Sequence, residues 1–279
     1  MKQKSVLLNS AKGLIVGASM LVPGVSGGTM ALILGIYKDL IHAVNHFFKD
    51  FKKSFWLLLQ FGAGAVLGFL LFARLLDYAL TRFHLPMMYF FIGAILGGIP
   101  LLFRQSGVRE GGPKGWTGGL LAALLGAALV LSLGFIPEST AVFGGDFSLK
   151  AILLQLVTGI VIAVALVLPG ISTSHMLLIL GMYSATLSAL EHPFENLAFL
   201  GSLAVSTLVG VFLTTNLLEK AMTRFPQITY CAIIGFVAGS VIDVFPGLPA
   251  GWEIPVCLVT LVLGYLAVRF ISRFSDDNA

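Results

Sequence analysis

Apolar residues run along this chain in long blocks, and polar ones gather in the short intervals between them. Blocks near 54–73, 86–103, 116–136, 197–217, 228–245 and 254–271 are each long enough, at about 1.5 Å per helical residue, to cross roughly 30 Å of hydrocarbon. The pattern predicts an all-α integral membrane protein. Two further apolar segments are interrupted. Residues 13–37 break at Pro23-Gly24 and residues 159–183 break at Pro169-Gly170, and each break is followed by a small, hydroxyl-rich turn.

These two segments align without a gap. One reads GLIVGASMLVPGVSGGTMALILGIY and the other GIVIAVALVLPGISTSHMLLILGMY. The match continues at a slightly different offset, with residues 61–100 against 203–242. Gly68 there meets Gly210, Thr81-Arg82-Phe83 meets Thr223-Arg224-Phe225, and Gly93 and Gly97 meet Gly235 and Gly239. Trp116 and Trp252 open the last span of each half. The expected organisation is one transmembrane domain, 1–279, made of two repeats, 1–145 and 146–279. A matched pair of interrupted apolar segments is the strongest sequence pointer to a transporter's binding site.

Charge bears on how the repeats lie in the bilayer. In the first copy Lys12 and Lys38 bracket a segment whose two arms are each too short to span, which fits a re-entrant hairpin. The second copy is less decisive, because 151–168 and 171–190 are each long enough to cross. With both motifs as hairpins, each repeat has about three transmembrane helices, an odd number, so the repeats have inverted topology. Fourteen of the 17 Lys and Arg then share one side, leaving Arg74, Arg82 and Lys150 on the other. The positive-inside rule favours this arrangement, with both termini cytoplasmic. The basic, apolar start resembles a signal peptide, but that run is half of one repeat copy and is read as retained.

Composition agrees with a bilayer: 57% of residues are hydrophobic and 11% are charged. The pI near 9.1 does not imply nucleic acid, since the basic residues sit between apolar blocks. Cys231 and Cys257 fall inside apolar spans and are read as packing residues. Gly64/Gly68, Gly93/Gly97, Gly235/Gly239 and Ser206/Gly210 follow the small-xxx-small rule for close helix approach. No Walker loop, HExxH, Cys/His metal spacing or nucleotide-binding glycine pattern is present, so no cofactor and no metal are expected.

The candidate site is the pair of breaks: Pro23, Gly24, Ser26, Gly27, Gly28 and Thr29 in one copy, and Pro169, Gly170, Ser172, Thr173, Ser174 and His175 in the other. Helix-opening N–H groups, close-approach glycines and hydroxyls together favour an anion, most naturally a phosphate. The plainer alternative is a Pro-Gly kink whose freed carbonyls are satisfied by Ser and Thr. His175 could carry a proton or hold phosphate, or be a hydrogen-bonded structural group. Arg82 and Arg224 suit phosphate through their planar fork, or anchor helix ends at the interface. Arg74, with Asp77 three residues on, is a further candidate.

At PGVSGGTMALILGIY and PGISTSHMLLILGMY the chain resembles the polyprenyl-phosphate translocases of the PopT family, long catalogued as a domain of unknown function. The resemblance implies a flippase in the bacterial plasma membrane. It would return undecaprenyl phosphate, a polyprenyl phosphate lipid carrier, from the outer to the cytoplasmic leaflet for cell-envelope synthesis. Undecaprenyl-pyrophosphate phosphatases of the BacA/UppP type carry a related PGxSRSG motif, but its Arg position is Gly27 here in one copy and Thr173 in the other. An enzyme is therefore not expected. A secondary transporter of a small anion or ion remains the other alternative.

Overall fold

The computed structural model describes residues 3–20, 26–108, 112–137 and 149–276. Twelve helices are described: α1 (Gln3–Ser19), α2 (Gly27–Ile33), α3 (Tyr37–Asn45), α4 (Phe51–Arg82), α5 (His84–Ser106), α6 (Gly112–Gly134), α7 (Leu149–Val167), α8 (Thr173–Ile179), α9 (Tyr183–Glu191), α10 (Leu197–Arg224), α11 (Pro226–Val244) and α12 (Glu253–Asp276). Helices α4, α5, α6, α10 and α12 are long and apolar enough to cross a membrane. The sixth expected span, α11, is apolar but shorter over Pro226–Ile242. The protein is thus all-helical and multi-pass.

Four intimate helix pairs hold the bundle together: α1 with α4, α7 with α10, α5 with α12, and α6 with α11. Each is built on small residues. A Cβ on Gly64 or Gly68 would meet the carbonyls of Ser10 and Leu14 at 2.1 and 2.0 Å. One on Gly93 would lie 1.9 Å from the Leu261 carbonyl, and one on Gly235 would lie 2.0 Å from that of Ala123. The small-residue pairs read from the sequence are therefore the crossing points, where backbones touch because no side chain separates them. Two of the four pairs join elements from either side of residues 138–148, so neither group of six helices packs by itself.

Helix α5 runs through the middle against α11, α12 and α2. The outer faces of α4, α6, α10 and α12 carry exposed Leu, Val and Phe such as Leu70, Leu121, Leu213 and Leu258, as lipid contact requires. The main core gathers Ile33, Leu34, Ile36, Ile95, Leu102, Tyr230 and Val237.

The arms after the breaks are shorter than the sequence suggested. Both stop after seven residues, at Ile33 and Ile179. The cause lies in the shared Leu-Ile-Leu-Gly stretch. Gly35 and Gly181 both adopt φ 68°, a conformation that costs glycine little. Gly35 N–H donates to the Leu32 carbonyl and Ile36 N–H to that of Ala31, and Gly181 and Met182 do the same to Leu178 and Leu177. This is a Schellman stop, completed by burial of the following Ile36 or Met182. After it the chain turns sharply, and α8 and α9 meet at 115°.

Close packing is testable at these crossings. Gly93→Ala pushes a methyl into the Leu261 backbone and is expected to cost about 1–3 kcal/mol or more. Gly62→Ala meets nothing within 4 Å and should gain up to about 1 kcal/mol from helix propensity. Unfolding midpoints in detergent should move in opposite directions; equal shifts would contradict backbone contact between α5 and α12.

Candidate functional site

The two segments that follow the Pro-Gly breaks converge on one cavity of about 690 Å³. Ser26, Gly27 and Gly28 line it from one copy, and Ser172, Thr173, Ser174 and His175 from the other. The remaining walls are largely apolar: Val16 of α1 and Met20 just after it, Leu40, Ile41 and Val44 of α3, Leu166 and Val167 of α7, and Val211 of α10. Tyr37 and Thr215 add further polar atoms. No Lys or Arg is among the described lining residues.

Local structure fixes the polar rim. Ser26 and Ser172 are extended residues at the N-caps of α2 and α8. Gly28 N–H donates to Ser26 Oγ at 3.2 Å, and His175 N–H donates to Ser172 Oγ at 3.4 Å. Each cap satisfies one of the first N–H groups of its helix and leaves others, at Gly27 and at Thr173 and Ser174, outside the helical ladder. With seven residues, α2 and α8 have two turns and little macrodipole. What these segments offer an anion is therefore hydroxyls and individual N–H groups.

The copies are also bonded to each other. The Gly170 N–H, at the second break, donates to Thr29 Oγ1 of the first copy at 2.9 Å, and Thr29 is 1% exposed. The Tyr37 hydroxyl, also buried, donates to the carbonyl of Val167. Gly170 sits at φ 84° with the Phe236 carbonyl 2.4 Å from where a Cβ would lie, so the break is wedged against α11. Thr29 thus serves the second break and does not line the cavity.

The sequence candidates separate accordingly. Seven of them meet at the cavity; Pro169, Gly170 and Thr29 lie buried behind it. Pro23 and Gly24 fall outside the described residues. The arginines are elsewhere. Arg82 and Arg224 end α4 and α10 in matched positions, exposed, with the Arg224 guanidinium 5.5 Å from the Phe225 ring. A cation there favours the helix C-terminus. Arg74 is exposed on α4, and Asp77 does not close on it as a salt bridge.

Three features escaped the sequence reading. Tyr37, repeated as Tyr183, is the cross-copy donor, and its presence in both motifs was the available signal. Lys12 is 7% exposed and lies one helical turn before the cavity-lining Val16. Finally, α3 meets α10 through a polar cluster beside the cavity. His42 Nδ1 lies 2.8 Å from Glu219 Oε1, Asn45 Nδ2 donates to Glu219 Oε2, and Thr215 Oγ1 donates to Asn45 Oδ1 at 2.7 Å.

A family model described as undecaprenyl phosphate translocase-like matches residues 16–250. A Staphylococcus aureus protein named polyprenyl-phosphate transporter is 32% identical over 97% of this chain and 98% of its own length. A Vibrio cholerae protein of the same name is 27% identical over 88% of this chain and 79% of its own. No solved structure gives a significant match.

The cross-copy bond carries a specific expectation. Thr29→Val strands the buried Gly170 N–H and should cost about 1–3 kcal/mol, whereas Thr29→Ser keeps the acceptor. Amide exchange at Gly170 should speed up in the valine variant only. Unchanged protection there would show that the two breaks are not coupled through Thr29.

Proposed function

We propose, because this chain belongs to the undecaprenyl phosphate translocase-like family, that it carries a polyprenyl phosphate across the membrane. The carrier would be undecaprenyl phosphate, taken from the outer to the cytoplasmic leaflet of a bacterial plasma membrane, with both termini cytoplasmic. The observation that carries the reading is the single cavity shared by both Pro-Gly-x-Ser segments. Its volume lies within the ~300–1,000 Å³ of sites for drug-sized molecules. That suits a phosphate headgroup and the first isoprene units; a long polyprenyl tail must stay in lipid. Hydroxyls of Ser26, Ser172, Thr173 and Ser174, N–H groups at Gly27 and Thr173, and His175 would hold the phosphate. Lys12, buried on the α1 face that leads to the cavity, would add positive potential without touching it. Arg74, Arg82 and Arg224, which do not line the cavity, would act on approach from the surface.

The cavity also argues for carriage over cleavage. A phosphoryl-transfer site needs charge aimed at the transferring group, commonly Arg or a metal clamp. Hydroxyls and amides bind a phosphate more weakly and let it go, as a translocase must. The relatives carry the name of transporters.

On this reading α1–α6 and α7–α12 are inverted repeats, each opening with a re-entrant hairpin, that rock against each other. Their asymmetry supports the motion. Helix α3 packs on both α4 and α10, while its counterpart α9 packs on α10 and α8 with no comparable contact to α4. By the repeat alignment Asp77 is the counterpart of Glu219, and Ser188, Glu191 and His192 are those of His42, Asn45 and His46. One latch, α3 on α10, is closed in this structure. The opposite state would close α9 on α4, pairing Glu191 with Arg74 and His192 with Asp77.

Two tests follow from this mechanism. Asp caps a helix about as well as Ser, so Ser172→Asp keeps the fold while setting a charge at the phosphate position. Repulsion of about 4 kcal/mol at 4 Å and an effective dielectric of about 20 should nearly abolish transport of polyprenyl phosphate in vesicles. Ser172→Asn, an equal but neutral cap, should retain it. Equal transport by both variants would sink the phosphate site, and vesicle uptake of soluble phosphate instead would favour the small-anion alternative. For the latch, Arg74→Glu should slow transport several-fold and Arg74→Glu with Glu191→Arg should restore it. Failure of the double exchange to rescue rejects that pairing.

A further inference from the structure

The polar cluster between α3 and α10 has a composition that a simple latch does not need. His42 lies in the last turn of α3 and His46, four residues on, is its C-cap; their rings stack at 4.1 Å. Glu219 arrives from α10, 177 residues from His42 in sequence. One ligand atom from each of the three lies within 4.8 Å of the other two. Ligands of one zinc-class ion, bound at about 2.1 Å each in a tetrahedron, lie about 3.4 Å apart, so modest side-chain rotations close the gap.

We propose that His42, His46 and Glu219 form a binding site for a zinc-class divalent cation at the rim of the cavity. Two imidazoles with one carboxylate select such borderline cations over magnesium or calcium, which take oxygen ligands. Three protein ligands leave the fourth position open to water or an anion.

The surroundings are those of a prepared site. Asn45 donates to Glu219 Oε2 and is itself held by Thr215, so the carboxylate is oriented, with Oε1 2.8 Å from His42 Nδ1 and Oε2 3.9 Å from His46 Nδ1. His46 Nδ1 lies 3.2 Å from the His42 carbonyl; donation there leaves Nε2 with its lone pair for a metal. Carbonyl and amide partners of this kind are what orient metal ligands generally. Lys38, one turn before His42, places its ammonium 4.9 Å over the Tyr230 ring, away from the cluster. Glu219 is a quarter exposed and His42 about half, so an ion can enter from solvent. Once bound it would join α3 to α10, two walls of the cavity.

The test uses the full-length protein in zwitterionic nanodiscs titrated with Co²⁺ alone, so it is independent of any lipid carrier. Expected is one Co²⁺ per chain, with visible absorption of a four-coordinate nitrogen–oxygen site, displaced by Zn²⁺. His42→Ala and His46→Ala should each abolish that absorption, and Asn45→Ala should weaken binding by about 10–100-fold as an outer-shell partner. His46→Asn serves as the second variant where alanine at either position fails to yield monodisperse protein. Absence of the absorption in wild type, or its persistence in the folded histidine variants, overturns the site.

Discussion

An irregular backbone inside an apolar protein must find its hydrogen-bond partners within the protein, because lipid supplies none. Everything at the centre of this molecule follows from two such irregularities. The second break is satisfied by the first copy: Thr29 accepts from Gly170 N–H, and Tyr37 donates to Val167. A motif that could have been self-contained is therefore completed across the molecule. These bonds hold the two serine-capped segments on one cavity.

The same constraint explains why helix packing is so close. Lipid tails are as apolar as leucine side chains, so apolar burial gives helices little reason to associate in a bilayer, and contact has to come from van der Waals fit. Gly64, Gly68, Gly93, Gly235 and Gly264 supply it by letting backbones touch. Because α5 pairs with α12 and α6 with α11, the tightest surfaces bind the two groups of helices to each other. Helices α3 and α9, which lack such surfaces, are held by polar contacts or lightly held. On the proposed mechanism they are the elements that would change partners.

Much of this was legible in the chain, for identifiable reasons. Long spans announce themselves by length, small-residue crossings by spacing, and the cavity-lining segments by repetition. What was not legible depends on three-dimensional partners. The Leu-Ile-Leu-Gly stop was hidden because its residues are as apolar as a continuing helix, and only the shared glycine marked it. The arginines look like phosphate ligands in sequence, yet Arg82 and Arg224 sit at helix ends away from the cavity. Glu219 could not be joined to His42 and His46 by any local rule, since its contact spans most of the molecule. Thr29 and His175 align perfectly in sequence, but one is buried against a backbone amide and the other faces the cavity.

That last asymmetry bears on how a symmetric pair of motifs could work in one direction. If both copies offered identical groups, the phosphate would be held alike from either side and only the latches would distinguish the states. Here one segment presents Gly27 and Gly28, and the other presents Thr173, Ser174 and a half-buried His175. On the proposed reading the second would hold a phosphate better, and on the proposed inverted topology it is the one that enters from outside. A carrier moving inward would meet the stronger set of donors first and leave past the weaker one. On that reading release at the far face would need no Lys or Arg to be stripped from the phosphate, because neither is among the described lining residues.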